Sequence, residues 1–463
     1  MDNQVVNGKK IKSISVLGLF GLYNYNLPKD GLFNNISILY GNNGAGKSTI
    51  LKLAFHLLSN NSPSNSHHLK ELNKIRFNEI VIYLDGAVVK AKKIMEKNTL
   101  QLTIEANKKS ISYEYFDRDL RRSEFFESEF IEINLDDIEL IESKRSISGH
   151  KKNFKNRSDY YHLVRDYLPE VFSLNAERRL DGNSIADIED ETELRGRVTR
   201  REGRVGIYGL VNRSREIALA QALSSAHKWI SKKVVEGNNI GAENVHTIYI
   251  NISKQLSGSE KNDSDLDAKD TQSKLLEKLA NIERKSSNLS KYELATNLDI
   301  NDLKLVLLDS SKGYYKISVD LLGPYIDSLD SRLSALTPIY DIVDKFIFII
   351  NQMLSDKSMN YNIKTGFSIK NTLGDSLEPI HLSSGEQQLI LLFLYVLIAR
   401  DSRCLFMIDE PEISLNIKWQ RNVIQYLNDI TEGENTQFIF ASHSMEIIAQ
   451  HIDNVITLEF DHD

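Results

Sequence analysis

Four short stretches carry residues whose types and spacing suit phosphate chemistry. In Ile38–Thr49, ILYGNNGAGKST, the pattern G-x-x-x-x-G-K-[ST] is filled by Gly41, Gly46, Lys47 and Ser48. Glycines in such a loop let backbone N–H groups turn inward around phosphate oxygens. The lysine neutralises the outer phosphates, and the serine hydroxyl reaches Mg²⁺. The candidate binding run is therefore Asn42, Asn43, Gly44, Ala45, Gly46, Lys47, Ser48 and Thr49, and the positive end of the helix that follows adds to it. Near the other end of the chain, CLFMIDEPE (Cys404–Glu412) is an apolar run closing on carboxylates. Asp409 is suited to hold Mg²⁺ and Glu410 to polarise an attacking water. TQFIFASHS (Thr436–Ser444) brings His443 to the end of another apolar run, and LSSGEQQ places Ser383 and Gly385 at the start of a long apolar helix.

These residues need elements to hold them. NISILY reads as a strand, STILKLAFHLLS has helical spacing, and the loop lies between them. The runs before Asp409 and His443 read as strands of a parallel sheet, where ligands bind at the C-terminal edges. Between KIRFNEIVIYLDGAVVKAKKI and TLQLTIEANKKSISYEYF the pattern alternates, with turn residues Asp85-Gly86 and Glu96-Lys97-Asn98, so antiparallel strands are expected. Gln101 falls within one of them. SDYYHLVRDYLPEVFSLNAERRL then gives a helix, a strand and the pair Arg178 and Arg179, which suit either phosphate contact or loop salt bridges.

The chain changes character from about residue 181 to 361. A charged stretch around DIEDETELRGRVTRREGRVG reads as a loop, and SGSEKNDSDLDAKDTQSK reads as a polar linker. Three helices are expected: one closed by Gly237, one over KLLEKLANIERKSSNLSKYEL, and one whose apolar stripe runs Leu322, Ile326, Leu329, Leu333, Leu336, Ile339, Val343, Phe346, Ile350 and Met353. Pro338 is expected to kink the third. The fold expected is α/β, a mixed sheet with flanking helices interrupted by a helical, short coiled-coil-like insertion. Its divisions are 1–180 (N-terminal lobe), 181–361 (insertion) and 362–463 (C-terminal lobe).

The totals are consistent with this plan. A chain of 463 residues, 41% of them hydrophobic, can bury a large core. A formal charge of −7 argues against a generic nucleic-acid magnet and leaves local basic patches open. The single cysteine, Cys404, excludes an internal disulfide framework and suits a reducing compartment. The N-terminus lacks the apolar core of a signal peptide. The longest apolar run, Leu389–Ala399, is about half of a membrane span. A soluble cytoplasmic protein is the expectation. His67 and His68, in a Ser/Asn-rich stretch, read as surface residues.

The four motifs, in this order behind a phosphate loop, resemble the head of ABC-type ATPases: Walker A, signature, Walker B with its D-loop, and H-switch. A head split by a long insertion looks like the SMC, RecF and OLD-like class. The resemblance implies ATP and Mg²⁺ as cofactors, Ser48 and Asp409 as metal ligands, and Glu410 and His443 as catalytic residues. It also implies that Ser383 and Gly385 cap the γ-phosphate of ATP held by the opposite subunit, hence a homodimer around two nucleotides, with higher oligomers left open. The turn Ser383-Ser384-Gly385-Glu386 fits the RecF-like branch, whereas Asn416 stands where that branch usually has histidine. The blocks DEPEISLNIKWQ and FASHSMEII look like the ATPase subunits of bacterial anti-phage defence systems of the PARIS, Septu and retron-associated types. In those systems an ATPase assembles with a separate nuclease or toxin subunit. Between His443 and Asp463 there is no room for the acidic nuclease domain of OLD-type enzymes, so an ATPase governing a separate effector is expected. The alternative is a RecF/SMC-like repair ATPase that clamps DNA. Nucleic acid stays open as a partner, and a membrane is not expected.

Overall fold

The computed structural model describes residues 9–60, 67–94, 99–116, 148–174, 180–182, 216–240, 265–308, 315–401, 403–413 and 415–459. Arg178, Arg179, the charged stretch after residue 182 and the turn Glu96-Lys97-Asn98 lie outside the described residues. The chain divides into two compact units. One comprises residues 1–203, 399–425 and 431–463, and the other residues 204–398 and 426–430.

The first unit holds two sheets. Its elements begin with β1 (Ile11–Leu19), β2 (Tyr23–Leu27), β3 (Ile36–Tyr40), α1 (Lys47–Ser59) and α2 (His67–Lys74). Then come β4 (Glu79–Leu84), β5 (Ala87–Ile94), β6 (Thr99–Ala106), β7 (Lys109–Tyr115), α3 (Ser148–Tyr167), β8 (Glu170–Leu174) and β9 (Leu180–Gly182). The antiparallel sheet has the order β2-β1-β4-β5-β6-β7. The second sheet draws on both ends of the chain. Its order is β15-β3-β14-β13-β8-β9, where β13 is Cys404–Asp409, β14 is Gln437–Ala441 and β15 is Val455–Thr457. Strands β15, β3, β14, β13 and β8 run parallel, and β9 returns antiparallel to β8.

Strands buried on both faces should be apolar throughout, and these are. Every residue of β13 and of β14 is buried. On one face the rings of Phe172, Phe406, Phe438 and Phe440 stack in succession, with centroids 4.9, 5.3 and 5.9 Å apart. On the other, Leu39, Val171, Leu405, Met407 and Ile439 join Ile50, Leu53 and Leu57 of α1 and Ile14, Ile82 and Ile104 of the antiparallel sheet in one core cluster. The positions i, i+3 and i+7 of α1 thus lock the helix that leaves the phosphate loop onto the sheet that carries it.

In this unit one stretch departs from its sequence reading. Residues from His67 onward form α2, and His68 is buried rather than on the surface. Its Nδ1 lies 3.1 Å from Nδ1 of His56 on α1, and its ring meets Phe55 edge-on. His67 is exposed, as expected.

The second unit is mostly helical: α4 (216–240), α5 (Asp265–Ser290), α6 (Asn301–Leu308) and α7 (Tyr315–Met353). A small antiparallel sheet follows, of β10 (Lys357–Asn362), β11 (Gly366–Asn371) and β12 (Ser376–Leu377), and then α8 (Ser384–Ala399). Most of the apolar stripe of α7 is buried, including Ile326, Leu333, Val343, Phe346 and Ile350. The helix continues through Pro324 and Pro338 as one element. Helix α4 does not stop at Gly237; that glycine is a close approach, where a Cβ would lie 3.0 Å from the Ala335 carbonyl of α7. His227, earlier in α4, meets Tyr361 beyond the end of α7, so α4 and α7 run antiparallel. By contrast α5 runs parallel to α7. Lys278 and Lys285, and Lys291 just past the end of α5, pair in order with Asp327, Asp330 and Asp344 at 2.5–2.6 Å. Helix α5 also begins inside the stretch read as a linker, at Asp265-Leu266-Asp267, where acidic residues favour a helix N-terminus.

Among the described residues no helix is long and apolar enough to cross a membrane.

Candidate functional site

Strand β3 and helix α1 bracket the phosphate loop. Gly44 and Gly46 have φ of 83° and 89°, a region that L side chains rarely enter. Gly46 has a second constraint, because a Cβ there would lie 2.8 Å from Leu19 Cδ2. The loop is tied down from β2, where the buried Tyr25 hydroxyl donates to the Ala45 carbonyl at 2.6 Å. Burial first, then the neighbouring Tyr23, pushes that hydroxyl up to about 12, so it remains a donor. Lys47 is buried, and its Nζ donates to the carbonyls of Gly41 (2.8 Å) and Asn42 (3.2 Å), which folds the ammonium over the loop.

The two ends of the chain meet at Ser48. Its Oγ donates to Asp409 Oδ1 at 2.8 Å across 361 residues of sequence. The sheet order brings this about, since β3 and β13 flank β14 and both end at the same edge. Asp409 is buried. Burial pushes its carboxyl up from the usual range, the Ser48 hydroxyl opposes this, and Glu410 and Glu412 push it further up. A buried carboxylate and a serine hydroxyl at a strand edge make an oxygen donor set of the kind Mg²⁺ takes.

Glu410 follows with φ of 50°, an uncommon conformation for a residue with a Cβ. Its N–H donates to the Ala441 carbonyl at the end of β14 (2.8 Å), which closes the turn against the neighbouring strand. His443 Nδ1 lies 3.8 Å from Glu410 Oε1 and 3.3 Å from Glu412 Oε1. The imidazole is half exposed, Glu410 is partly exposed and Glu412 is buried. Asn416 caps helix α9 (Ile417–Ile430), its Oδ1 accepting from the Trp419 N–H at 2.9 Å.

Ser383 and Gly385 belong to the second unit. Ser383 Oγ accepts from the Glu386 N–H (3.3 Å), and Glu386 Oε2 accepts from the Ser383 N–H (2.7 Å), a reciprocal cap on α8. The other oxygen of Glu386 takes Lys357 at 2.9 Å. Burial acts to raise the Glu386 carboxyl, but Lys357 and Ser383 outweigh it and hold it below its ordinary range. Gln101 sits in the middle of β6, paired with Lys92 and Glu114, and is no part of the loop.

Three contributors escaped the sequence reading: Tyr25, Glu412 and Phe20. Phe20 is exposed, and its ring lies 3.7 Å from the Cβ position of Gly46. A tyrosine in an ordinary strand, an aromatic in a turn and a second glutamate after a proline carry no spacing signal.

The phosphate loop between β3 and α1, with Asp409 on the next-but-one strand, is the arrangement of a phosphate-loop ATPase domain. The chain belongs to the family described as "AAA domain, putative AbiEii toxin, Type IV TA system", which matches residues 36–449. A shorter stretch is similar to the molybdenum import ATP-binding protein ModC. It is 32% identical over 81 residues to that of Yersinia pestis bv. Antiqua (strain Antiqua) and 35% identical over 81 residues to that of Escherichia coli (strain K12). The match spans 18% of this chain and 22% of those relatives. Among solved structures, the Smc head domain with an extended coiled coil from Pyrococcus furiosus aligns over 95% of this chain and 91% of that one, at 12% identity and a TM-score of 0.33. The Smc head domain with a coiled coil and joint from Pyrococcus yayanosii aligns over 95% and 93%, at 13% identity and a TM-score of 0.35.

Proposed function

We propose that this chain binds ATP with Mg²⁺ at the loop 41–49, hydrolyses it, pairs with a second copy around the nucleotide, and uses that cycle to control a separate toxin or nuclease subunit in anti-phage defence. The observation that carries the reading is the 2.8 Å hydrogen bond from Ser48 to Asp409, with Glu410 as the next residue and His443 beside it.

Each residue has a definite task. Lys47 swings from the Gly41 and Asn42 carbonyls to the outer phosphates, exchanging two neutral acceptors for charged ones. The N–H groups of residues 42–49 and the N-terminus of α1 hold the remaining phosphate oxygens. Ser48 and Asp409 would hold Mg²⁺, which draws charge from the β- and γ-phosphates. Bound there, the cation also offsets the burial that raises the Asp409 carboxyl. Glu410 accepts a proton from, and orients, the attacking water, and His443 donates to the γ-phosphate. The exposed Phe20 ring offers a stacking face to the base. Ser383 and the N–H groups at the start of α8 meet the γ-phosphate held by the second copy. The family description, a putative AbiEii toxin of a type IV toxin–antitoxin system, supports a defence role; the separate effector is proposed from the likeness of the blocks DEPEISLNIKWQ and FASHSMEII to defence ATPases that work with one.

The test is phosphate release by the purified chain with Mg²⁺, Asp409→Asn serving as the site control. Turnover that needs Mg²⁺ and falls at least tenfold in the variant is expected. Equal turnover by both proteins would overturn the reading. Co-expression of Lys47→Ala or wild type with the adjacent open reading frames tests the effector arm. Growth arrest in phage-challenged cells is expected for wild type only.

A further inference from the structure

Glu412 is a buried carboxylate that none of the tasks above uses. One of its oxygens gathers a whole turn. Oε1 accepts from Ser442 Oγ (2.8 Å), from the His443 N–H (2.9 Å) and from the Ser444 N–H (3.1 Å), and it lies 3.3 Å from His443 Nδ1. Oε2 is buried and has no hydrogen-bond partner. A carboxylate held in this way acts through its backbone acceptor role, and charge-assisted bonds of this kind are about twice as strong as neutral ones.

The turn it gathers, 442–444, joins β14 to α10 (Met445–Gln450) and carries His443. A second link runs beside the first. Gln420, in the first turn of α9, donates through Nε2 to the Leu415 carbonyl (2.9 Å) and accepts through Oε1 from Ser444 Oγ (2.9 Å). Ser444 in turn caps α10 by accepting from the Ile447 N–H. With the Glu410 N–H to Ala441 carbonyl bond, these contacts tie the segment after Asp409 to the segment around His443, and Glu412 makes the charged one. Loops at a sheet edge are otherwise free to move relative to each other.

We infer that Glu412 is the positioning residue of this site: it sets the place of His443 relative to Glu410 through the backbone of residues 443 and 444. The inference rests on the ATPase reading above and assigns one more residue to the same site. Glu410 and His443 then keep the spacing that lets one address the water and the other the γ-phosphate. A misplacement of about 1 Å can cost about 100-fold in rate. Nucleotide affinity, set by Lys47 and the loop, has no part in this linkage.

The experiment measures steady-state hydrolysis, nucleotide affinity by fluorescent ATP titration, and melting temperature for Glu412→Ala, Glu412→Gln, His443→Ala and the double variant Glu412→Ala/His443→Ala. Glu412→Ala should lower kcat by about 100-fold with nucleotide affinity within about twofold of wild type. Glu412→Gln keeps an oxygen acceptor and should recover most of this, remaining about three- to tenfold slow. The double variant should be no slower than the worse single one, because the two residues act as one unit. If Glu412→Ala does not fold, Glu412→Gln alone decides, and wild-type kcat in that variant overturns the inference. Losses that appear in affinity, or that multiply in the double variant, also overturn it. Lys47→Ala and Glu410→Gln run alongside. If they hydrolyse ATP like wild type, the ATPase reading itself fails. If they are inactive while both Glu412 variants are fast, only the positioning role fails.

Discussion

The edge of the parallel sheet and the α5–α7 helix pair secure their polar groups in different ways. In the first unit the polar contacts that build the site are directed and wholly or partly buried: Ser48 to Asp409, Tyr25 to Ala45, and Glu412 to the 442–444 turn. The Ser48 and Glu412 contacts lie at the ends of the buried strands β13 and β14, so the register of the parallel sheet determines their place; Tyr25 reaches the loop from β2. In the second unit the conspicuous polar contacts are a ladder of lysine–aspartate pairs between α5 and α7, all partly exposed. Such pairs contribute about 0.2–1 kcal/mol each. The α7 stripe beneath them supplies the cohesion. Tolerance to change therefore differs: the first unit loses function through single polar atoms, the second through loss of apolar packing.

The sharpest break of this contrast is at Lys47. Lys47→Ala removes the cation from two or more phosphate contacts worth about 1.5–3 kcal/mol each, so nucleotide affinity should fall at least about 100-fold by calorimetry. Thermal stability should change little. Next is Ser383→Arg, which leaves the 41–49 loop intact and puts a bulky cation where a second copy would meet the nucleotide. Binding should persist and hydrolysis should fall at least tenfold. Mixing this variant with Lys47→Ala should restore part of the rate, because one composite site then pairs an intact loop with an intact Ser383. No rescue, with mixed dimers shown by differently tagged chains, would contradict the shared site.

In the second unit the order of effects should reverse. Leu333→Asp buries a charge in the α7 stripe and should cost about 3 kcal/mol or more by denaturant titration, while Lys285→Ala should cost under about 1 kcal/mol despite its two contacts to Asp330 and Ser334. The smallest expected effect is on pH dependence. Burial pushes His56 down to about 4 and His68 to about 3. Unfolded imidazoles take up protons near pH 6.5, so the unfolded chain binds more protons between about pH 6.5 and about 4. Stability from this pair is then complete above pH 6.5 and falls as pH drops through that window. The His68→Phe variant should show a flatter melting temperature between pH 7 and 5 than wild type.

The sequence made legible those elements in which hydrophobic burial and charge coincide. β3, β13 and β14 are apolar runs that stop abruptly at Gly41, Asp409 and His443, and the structure places them side by side. Glu412 was invisible because a carboxylate after Pro411 has the composition of a solvated turn, and only the fold shows its oxygen inside. Helix α2 was missed because His67 and His68 follow a polar stretch, and their partners, Phe55 and His56, lie on another helix. Gly237 looked like a terminator because a glycine that ends a helix and one that admits a neighbouring helix read alike in sequence. The parallel course of α5 and α7 depends on which helix pairs with which, and a repeat of apolar residues carries no direction.

The central claim is that Glu410 activates water in a nucleotide site built by Ser48 and Asp409. Single-turnover hydrolysis of ATP by Glu410→Gln, with binding measured on the same preparation, tests it most directly. The account predicts unchanged affinity, a rate reduced by about 10²- to 10⁴-fold, and accumulation of ATP-bound dimers by light scattering. Hydrolysis at the wild-type rate in that variant would contradict it.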